Sequence, residues 1–184
     1  MIHNARHFAA FCALLTLVWW LQPEVASYQR PLITAGEWWR IVTGQFVHWS
    51  LPHLFGNLLG LGVAWLLFAQ HWHGWCFWVL AVVVAAGTNL SLWLFSPEVA
   101  YYVGFSGALY GLITYGAVRD WLAGIRFGWL ISLGVVAKVS YEFFVAPMPW
   151  FSTDTSTLAV DAHFYGAMLG GVSGLLVAAF KGRH

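Results

Sequence analysis

Residues 104–118 read GFSGALYGLITYGAV. The run is apolar, and Gly107 and Gly111 are spaced four apart, which places both on one face of a helix. A ridge of small residues with this spacing lets the backbone of a second helix approach closely, as is typical of membrane helices. The stretch therefore predicts a transmembrane helix that packs closely against another helix.

The composition of the whole chain agrees with a membrane setting. Of 184 residues, 60% are hydrophobic and 8% are charged, whereas an ordinary soluble domain has about a quarter charged residues. The formal net charge is +1 and the basic residues are scattered, so no basic stripe is available to follow a nucleic-acid backbone. The composition excludes a soluble domain and argues against a nucleic-acid partner.

Apolar runs broken by proline and charge predict an all-α polytopic membrane protein with a single domain over 1–184. The six predicted transmembrane helices cover roughly residues 8–22, 52–70, 75–95, 104–118, 127–147 and 158–180. The loop at roughly 23–51 contains the cluster EWWR at residues 37–40, which suits the headgroup level of the bilayer. We expect this loop to lie in the outer interface.

The distribution of basic residues predicts that both termini are cytoplasmic. Arg30 and Arg40 fall on one side of the predicted helices, and the larger group falls on the other side: Arg6, Arg119, Arg126, Lys181 and Arg183. Cytoplasmic loops are enriched in Lys and Arg. The second, fourth and sixth helices then run inward from the outer side, so residues early in each lie at one shallow depth.

Ser106 and His163 are polar residues near the outer ends of the fourth and sixth helices. An imidazole is the usual group that takes a serine proton near neutral pH. A serine in G-x-S-G also occurs where the hydroxyl bonds a carbonyl of the preceding turn, and an interior histidine is often only hydrogen-bonded. The two residues become a catalytic candidate only if the two helices pack together.

A second glycine ridge follows His163, at Gly166, Gly170 and Gly174. If it packs against Gly107 on the fourth helix, the serine and the histidine come within hydrogen-bond reach. Asp161 lies two residues before His163 and points roughly 200° away around the helix axis. The pattern therefore predicts a Ser-His dyad rather than a triad.

The second helix offers donors for a developing oxyanion. His53 and Asn57 are four apart and share a helix face, and an imidazole N–H and an amide N–H both suit an oxyanion. His48 and His53 are five apart and do not stack on one helical face, and there is no His-Glu-x-x-His motif. We expect neither a metal nor another cofactor.

Two further features of the fourth helix bear on chemistry. Tyr110 lies one turn below Ser106 and either stacks on the His163 ring or packs as an ordinary interhelical aromatic. The predicted helix has about 15 residues and a length of about 22 Å, less than a hydrocarbon core near 30 Å. This shortness leaves room for water above Ser106 and predicts a cavity that opens outward.

Three motifs in order on alternate helices resemble the rhomboid family of intramembrane serine proteases. They are His48-x4-His53-x3-Asn57, Gly104-x-Ser106-Gly107 with Tyr110, and Ala162-His163-x2-Gly166-x3-Gly170. The pair Trp39-Arg40 is also similar to a Trp-Arg pair in the first loop of that family, so the resemblance extends over the six-helix core.

The resemblance implies a role for each matching residue. Ser106 would be the nucleophile and His163 the base, with His53, Asn57 and the Ser106 backbone N–H as the oxyanion hole. Tyr110 would stack on His163, and His48 would be structural. The glycines of the motifs would support the packing: Gly104, Gly107, Gly166 and Gly170.

The small size of the chain, Lys138-x3-Glu142 and VDAH at residues 160–163 resemble the rhombosortase branch of bacterial rhomboids. This resemblance implies an inner-membrane enzyme that processes secreted proteins ending in a Gly-Gly motif, one transmembrane helix and a basic end. Lys138 and Glu142 are four apart, so they form either a mutually neutralising structural pair or a substrate contact.

Other functions stay open from sequence alone. One is a general rhomboid protease with other single-span substrates, and another is a catalytically silent protein that binds transmembrane helices. A small transporter is disfavoured because paired discontinuous helices are lacking. Ser-His chemistry also leaves open whether the acyl group passes to water or to an amine.

Overall fold

The computed structural model describes residues 2–20, 23–125, 127–145 and 156–181. Its six long helices are α1 (Ile2–Val18), α5 (Leu51–Phe68), α6 (Gly74–Phe95), α7 (Ser106–Leu122), α8 (Gly128–Phe144) and α9 (Ser156–Lys181). Three short helices follow α1: α2 (Pro23–Ala26), α3 (Arg30–Thr34) and α4 (Arg40–Thr43). A 3₁₀ turn, Ala69–His71, extends α5. The described chain is thus mainly helical, as predicted.

Two short strands join the segment after α1 to the segment before α7. Strand β1 (Tyr28–Gln29) pairs antiparallel with β2 (Tyr101–Tyr102), with Tyr28 opposite Tyr102. Because only two residues of each strand pair, the ribbon joins two loops and contributes little to the stability of the fold. It fixes the chain that leads into α7.

Helices α7 and α9 are in backbone contact along their glycine ridges. A Cβ atom built on Gly166 would lie 1.9 Å from the Gly107 carbonyl oxygen, and one on Gly170 would lie 1.9 Å from the Gly111 carbonyl oxygen. Since the contacts advance in the same direction along both helices, α7 and α9 run parallel. Any side chain larger than hydrogen at these positions would force the helices apart.

Helix α5 packs on another face of α7 and also runs parallel to it. Leu109 fills the space beside Gly60, and Phe68 fills the space beside Gly116. Both contacts move toward the carboxyl end of each helix in step. The second, fourth and sixth long helices therefore share one direction, which brings their amino-terminal ends to the same side of the bundle.

Three helices are long and apolar enough to cross a membrane among the described residues: Leu51–His71, Gly74–Phe95 and Val160–Phe180. Helix α7 is less apolar and lies deep in the bundle, with most of its side chains buried. Burial by neighbouring helices explains why its surface does not need the composition of a lipid-facing span. The surfaces of α5 and α6 instead expose large apolar side chains, for example Leu66 and Trp75.

The described helices differ from the predicted ranges mainly at α7. It was expected at residues 104–118, but it begins at Ser106 and continues through Arg119 to Leu122, giving 17 residues. Helix α1 begins at Ile2 and ends at Val18 rather than covering 8–22. Residues 21–22, the end of the fifth predicted helix at 147, Arg126 and Arg183 lie outside the described residues.

The segment at residues 23–51 is more deeply packed than an interfacial loop was expected to be. Trp38 and Trp39 are exposed, in keeping with a headgroup position, but Arg40 beside them is buried. Its guanidinium donates to the Glu37 carboxylate at 2.6 Å and to the Ser27 carbonyl at 2.9 Å. Arg40 therefore ties the loop together rather than facing lipid headgroups.

The glycine contact predicts a large difference between two Gly→Ala variants. Gly170→Ala should lower the free energy of unfolding by about 3 kcal/mol, the upper end of the usual cost of overpacking, since the added methyl group meets backbone that cannot move aside. Gly62→Ala on α5 is the matched control, because nothing lies within 4 Å of its added Cβ. Thermal unfolding in detergent should show the loss only for Gly170→Ala; equal midpoints would contradict close packing of α7 on α9.

Candidate active site

The chain turns sharply into α7 at Gly104, two residues before Ser106. Gly104 has φ +109°, a conformation that L side chains rarely adopt. A Cβ atom there would also lie 2.4 Å from Cε1 of the His53 ring. Both the backbone angle and the neighbouring imidazole require glycine at this position. The absence of a side chain at Gly104 lets His53, at the start of α5, pack against the chain that leads into α7.

Two buried side chains satisfy the backbone N–H groups in the first turn of α7. The Gly107 N–H donates to the Tyr102 hydroxyl at 3.3 Å, and the Ala108 N–H donates to Gln45 Oε1 at 3.1 Å. These groups have no partner within a helix, so side chains normally satisfy them. The described residues supply no partner for the Ser106 N–H, which leaves it for a ligand.

Ser106 and His163 face each other across the α7–α9 contact. His163 Nε2 lies 3.0 Å from Ser106 Oγ, a hydrogen-bond distance. The other ring nitrogen, Nδ1, is buried and has no hydrogen-bond partner within the described part of the chain. This geometry would suit a nucleophile and its base, and the described residues place no carboxylate behind the imidazole.

The His163 ring packs on Tyr110. Their ring centroids are 4.5 Å apart with an interplanar angle of 42°. The Lys138 ammonium of α8 lies 4.8 Å from the Tyr110 ring centroid and also contacts the Glu142 carboxylate at 2.6 Å. A chain of contacts therefore runs from an ion pair on α8, through an aromatic ring, to the imidazole.

The start of α5 supplies the other polar groups near Ser106. The His53 ring lies over Gly104 and meets the His48 ring edge to face, with centroids 5.1 Å apart. Burial, with the His53 imidazole as a smaller contribution, lowers the pKa of His48 to about 3, so His48 is neutral near neutral pH. His48 thus packs against His53 without adding charge.

Asn57 is buried one turn below His53. Its amide donates one N–H to the His53 carbonyl at 3.2 Å. An Asn amide has two N–H groups, and the described residues supply no acceptor for the second. Only this second N–H is available to a ligand without breaking a bond.

Asp161 is engaged away from His163. Its carboxylate accepts a hydrogen bond from the Ser96 hydroxyl, and that hydroxyl also lies 3.0 Å from the Tyr165 hydroxyl. Its partner is thus a serine at the end of α6. The expected divergence of Asp161 and His163 around the helix explains why the pair does not form.

Two residues of this region were not predicted from the sequence. Tyr102 places its hydroxyl 3.2 Å from Ser106 Oγ, and Gln45 is fully buried between α7 and α6, where its amide also donates to Asn89. Both come from segments that read as linkers. In the sequence, only their residue types could have indicated burial: a polar glutamine and an aromatic tyrosine in segments predicted to be loops.

A family model described as the Rhomboid domain matches residues 35–180, well over half of the chain. The chain belongs to the rhomboid family. Family membership together with the apolar helices makes it an integral membrane protein.

Three relatives illustrate the similarity. The Rhomboid protease GlpG of Serratia proteamaculans is 32% identical over 92% of this chain and 55% of its own length. The Rhomboid protease GlpG of Photorhabdus laumondii is 31% identical over 80% of this chain and 49% of its own length. Rhomboid-like protein 11, chloroplastic, of Arabidopsis thaliana is 27% identical over 78% of this chain and 54% of its own length. The chain spans about half the length of these curated relatives.

The Lys138–Glu142 pair allows a stability test. Lys138→Met alone strands a carboxylate that is only 6% exposed, which should lower the free energy of unfolding by about 2 kcal/mol. The double variant Lys138→Met/Glu142→Met removes both charges and should recover most of this loss, because apolar replacements of ion pairs are often neutral. Thermal unfolding of the three proteins measures both effects; a double variant no more stable than the single one would contradict a mutually neutralising pair.

Proposed function

We propose that this rhomboid is an intramembrane serine endopeptidase that uses a dyad of Ser106 and His163. The observation that carries the proposal is the 3.0 Å contact between His163 Nε2 and Ser106 Oγ, which lies toward the amino-terminal ends of α7 and α9. A serine hydroxyl is a weak nucleophile until an adjacent base can take its proton. The names of the two GlpG relatives support the same activity.

In the proposed reaction Ser106 Oγ attacks the scissile carbonyl while its proton passes to His163 Nε2. The carbonyl oxygen becomes an oxyanion, and the Ser106 backbone N–H, His53 and the second N–H of Asn57 donate to it. The imidazolium then gives its proton to the leaving amine, and an acyl group remains on Ser106. The described residues place no carboxylate at His163 Nδ1, so Tyr110 orients the imidazole by ring packing.

We place the protein in a bacterial inner membrane with six spans, both termini in the cytoplasm and the active site opening to the periplasm. The excess of basic residues on the side of Arg6 and Arg119 supports this orientation. The parallel course of α5, α7 and α9 supports a common depth for His53, Ser106 and His163. Water from the periplasm then reaches the acyl group without crossing lipid.

Replacement of either member of the dyad should abolish cleavage. We expect Ser106→Ala and His163→Ala each to lower the rate for a co-expressed transmembrane substrate at least about 10⁴-fold, because the two residues act as one unit. The measurement is the amount of cleaved product at equal levels of membrane-inserted enzyme. Undiminished cleavage by either variant would refute the dyad.

Labelling with a fluorophosphonate tests activation of Ser106 without a substrate. The protein as it stands should react and Ser106→Ala should not, whereas an unactivated hydroxyl is inert. Ser132 of α8 is the matched control, because its hydroxyl donates to the Gly128 carbonyl, and Ser132→Ala should label like the parent. Absence of labelling in the parent protein would favour a silent protein that binds transmembrane helices.

The proposed substrate class is that of the rhombosortase branch. We propose that the enzyme processes secreted proteins with a C-terminal tail of a Gly-Gly motif, one transmembrane helix and a basic end. The similarity of residues 160–163 and of Lys138-x3-Glu142 to that branch supports this substrate. The acyl group would pass to water or to an amine, since one Ser-His dyad serves both.

A tail-swap experiment tests the substrate class. Changing Gly-Gly to Val-Val in an otherwise identical tail should lower cleavage about a hundredfold or more, since branched side chains would clash where glycine lets the backbone approach. Mass spectrometry of the product's new C-terminus distinguishes a free acid from an amide formed by transfer. Equal cleavage of both tails would identify a general rhomboid protease with other single-span substrates.

A further inference from the structure

Tyr102 lies directly against the proposed nucleophile. It is in β2, four residues before Ser106, and is only 4% exposed. Its hydroxyl oxygen accepts a hydrogen bond from the Gly107 N–H at 3.3 Å and lies 3.2 Å from Ser106 Oγ. The hydroxyl is therefore fixed between the first turn of α7 and the reacting atom.

The direction of the hydrogen bonds follows from the donors present. For His163 to act as a base, its Nε2 must carry no proton, so the Ser106 hydroxyl donates to it. The remaining lone pairs of Ser106 Oγ are then acceptors. The Tyr102 oxygen already accepts from a backbone N–H, and the acceptor within reach of its own proton is then Ser106 Oγ. One directed chain thus runs from Gly107 through Tyr102 and Ser106 to His163.

We propose that Tyr102 is a further catalytic residue, whose hydroxyl donates to Ser106 Oγ at rest and to the oxyanion when the tetrahedral intermediate forms. This inference rests on the proposed serine protease activity. No proton leaves Tyr102 in the step. The Ser106 proton goes to His163, the bond from Oγ to the carbonyl carbon forms, and the electron pair of the carbonyl moves to its oxygen.

The hydrogen bond becomes stronger along the reaction. Once Oγ is bonded to the carbonyl carbon it is a poor acceptor, while the neighbouring oxyanion carries a negative charge. Hydrogen bonds to a charged acceptor are about twice as strong as neutral ones. An interaction that strengthens only in the transition state raises the rate of the chemical step rather than substrate affinity.

The rest of the site leaves a role for this donor. One N–H of Asn57 is already used by the His53 carbonyl, so Asn57 can offer the oxyanion only its second N–H. The Gly107 N–H cannot serve the oxyanion directly, because it donates to Tyr102. Through Tyr102, the partial positive charge at the start of α7 reaches the reacting atoms.

Burial keeps the Tyr102 hydroxyl in its donor form. It raises the pKa of Tyr102 above the ordinary value of a tyrosine, and the hydrogen bonds with Ser106 and Gly107 act in the opposite direction as smaller effects. The phenol therefore stays protonated at neutral pH. A proton donor that stays neutral adds no charge that would repel the oxyanion.

Tyr102→Phe tests the inference, since it removes the hydroxyl and keeps the ring. We expect kcat to fall about a hundredfold, the loss seen when one oxyanion donor is removed, with KM changed less than about twofold. Fluorophosphonate labelling of Ser106 should slow in parallel. The matched control is Tyr101→Phe, on the same strand with its ring against Trp49, because adjacent strand residues point to opposite faces; it should retain parent kcat.

A structural role as a cap for the Gly107 N–H predicts a different result. Tyr102→Phe would then lower the unfolding midpoint while leaving the kcat of the folded fraction within about twofold, and this outcome would overturn the inference. A loss confined to KM would also overturn it. Should Tyr102→Phe not accumulate, fluorotyrosines of graded acidity at position 102 keep the hydroxyl, and kcat that does not vary with their acidity would overturn it as well.

The two proposals fail separately. A parent protein that neither cleaves a substrate nor labels at Ser106 refutes the protease assignment and with it the role of Tyr102. A parent protein that does both, with Tyr102→Phe equal to it in kcat, refutes only the role of Tyr102. Cleavage by the Ser106→Ala protein would refute the dyad, independently of the result for Tyr102→Phe.

Discussion

Backbone contact between α7 and α9 is the constraint on which the site depends. The Gly107 and Gly111 carbonyls occupy the space where side chains of Gly166 and Gly170 would lie. In lipid, helices gain little from hiding apolar surface, so close van der Waals packing of small residues holds them together. The parallel course of the two helices then sets Ser106 and His163 at one level. The hydrogen bond between them is a consequence of this packing.

The loops at the amino-terminal end of α7 complete what helix packing begins. Gln45, from the chain after α4, bonds both the Ala108 N–H and Asn89 of α6. Arg30 donates to the carbonyls of Leu92, Trp93, Ser96 and Val99, which include the open carboxyl end of α6. Unpaired backbone groups are costly where water is scarce. Gln45 therefore stabilises the amino-terminal end of α7, where the proposed nucleophile lies, and Arg30 stabilises the carboxyl end of the neighbouring helix α6.

Structural features that depend on residue spacing along one helix could be predicted from the sequence. The ridges at Gly107 and Gly166 are visible as intervals of four, and their pairing follows once both helices run the same way. The contact between Asp161 and Ser96 was not predictable, because it depends on how the end of α6 meets α9. The roles of Tyr102 and Gln45 were not predictable for the same reason, since the positions of both side chains depend on loops that fold back over α7. Interactions between segments distant in sequence leave no periodic pattern.

The described residues place no carboxylate at His163 Nδ1, so other groups must hold the proposed base in place. In a triad, an acid fixes the tautomer and the ring orientation. Here the ring is held from its face by Tyr110 and from its edge by Ser106. An acid at this depth would bring a charge into low dielectric, where an ion is expensive. Orientation by aromatic packing would achieve the same alignment with neutral groups. It also links the proposed base to α8, because Lys138 lies on the Tyr110 ring.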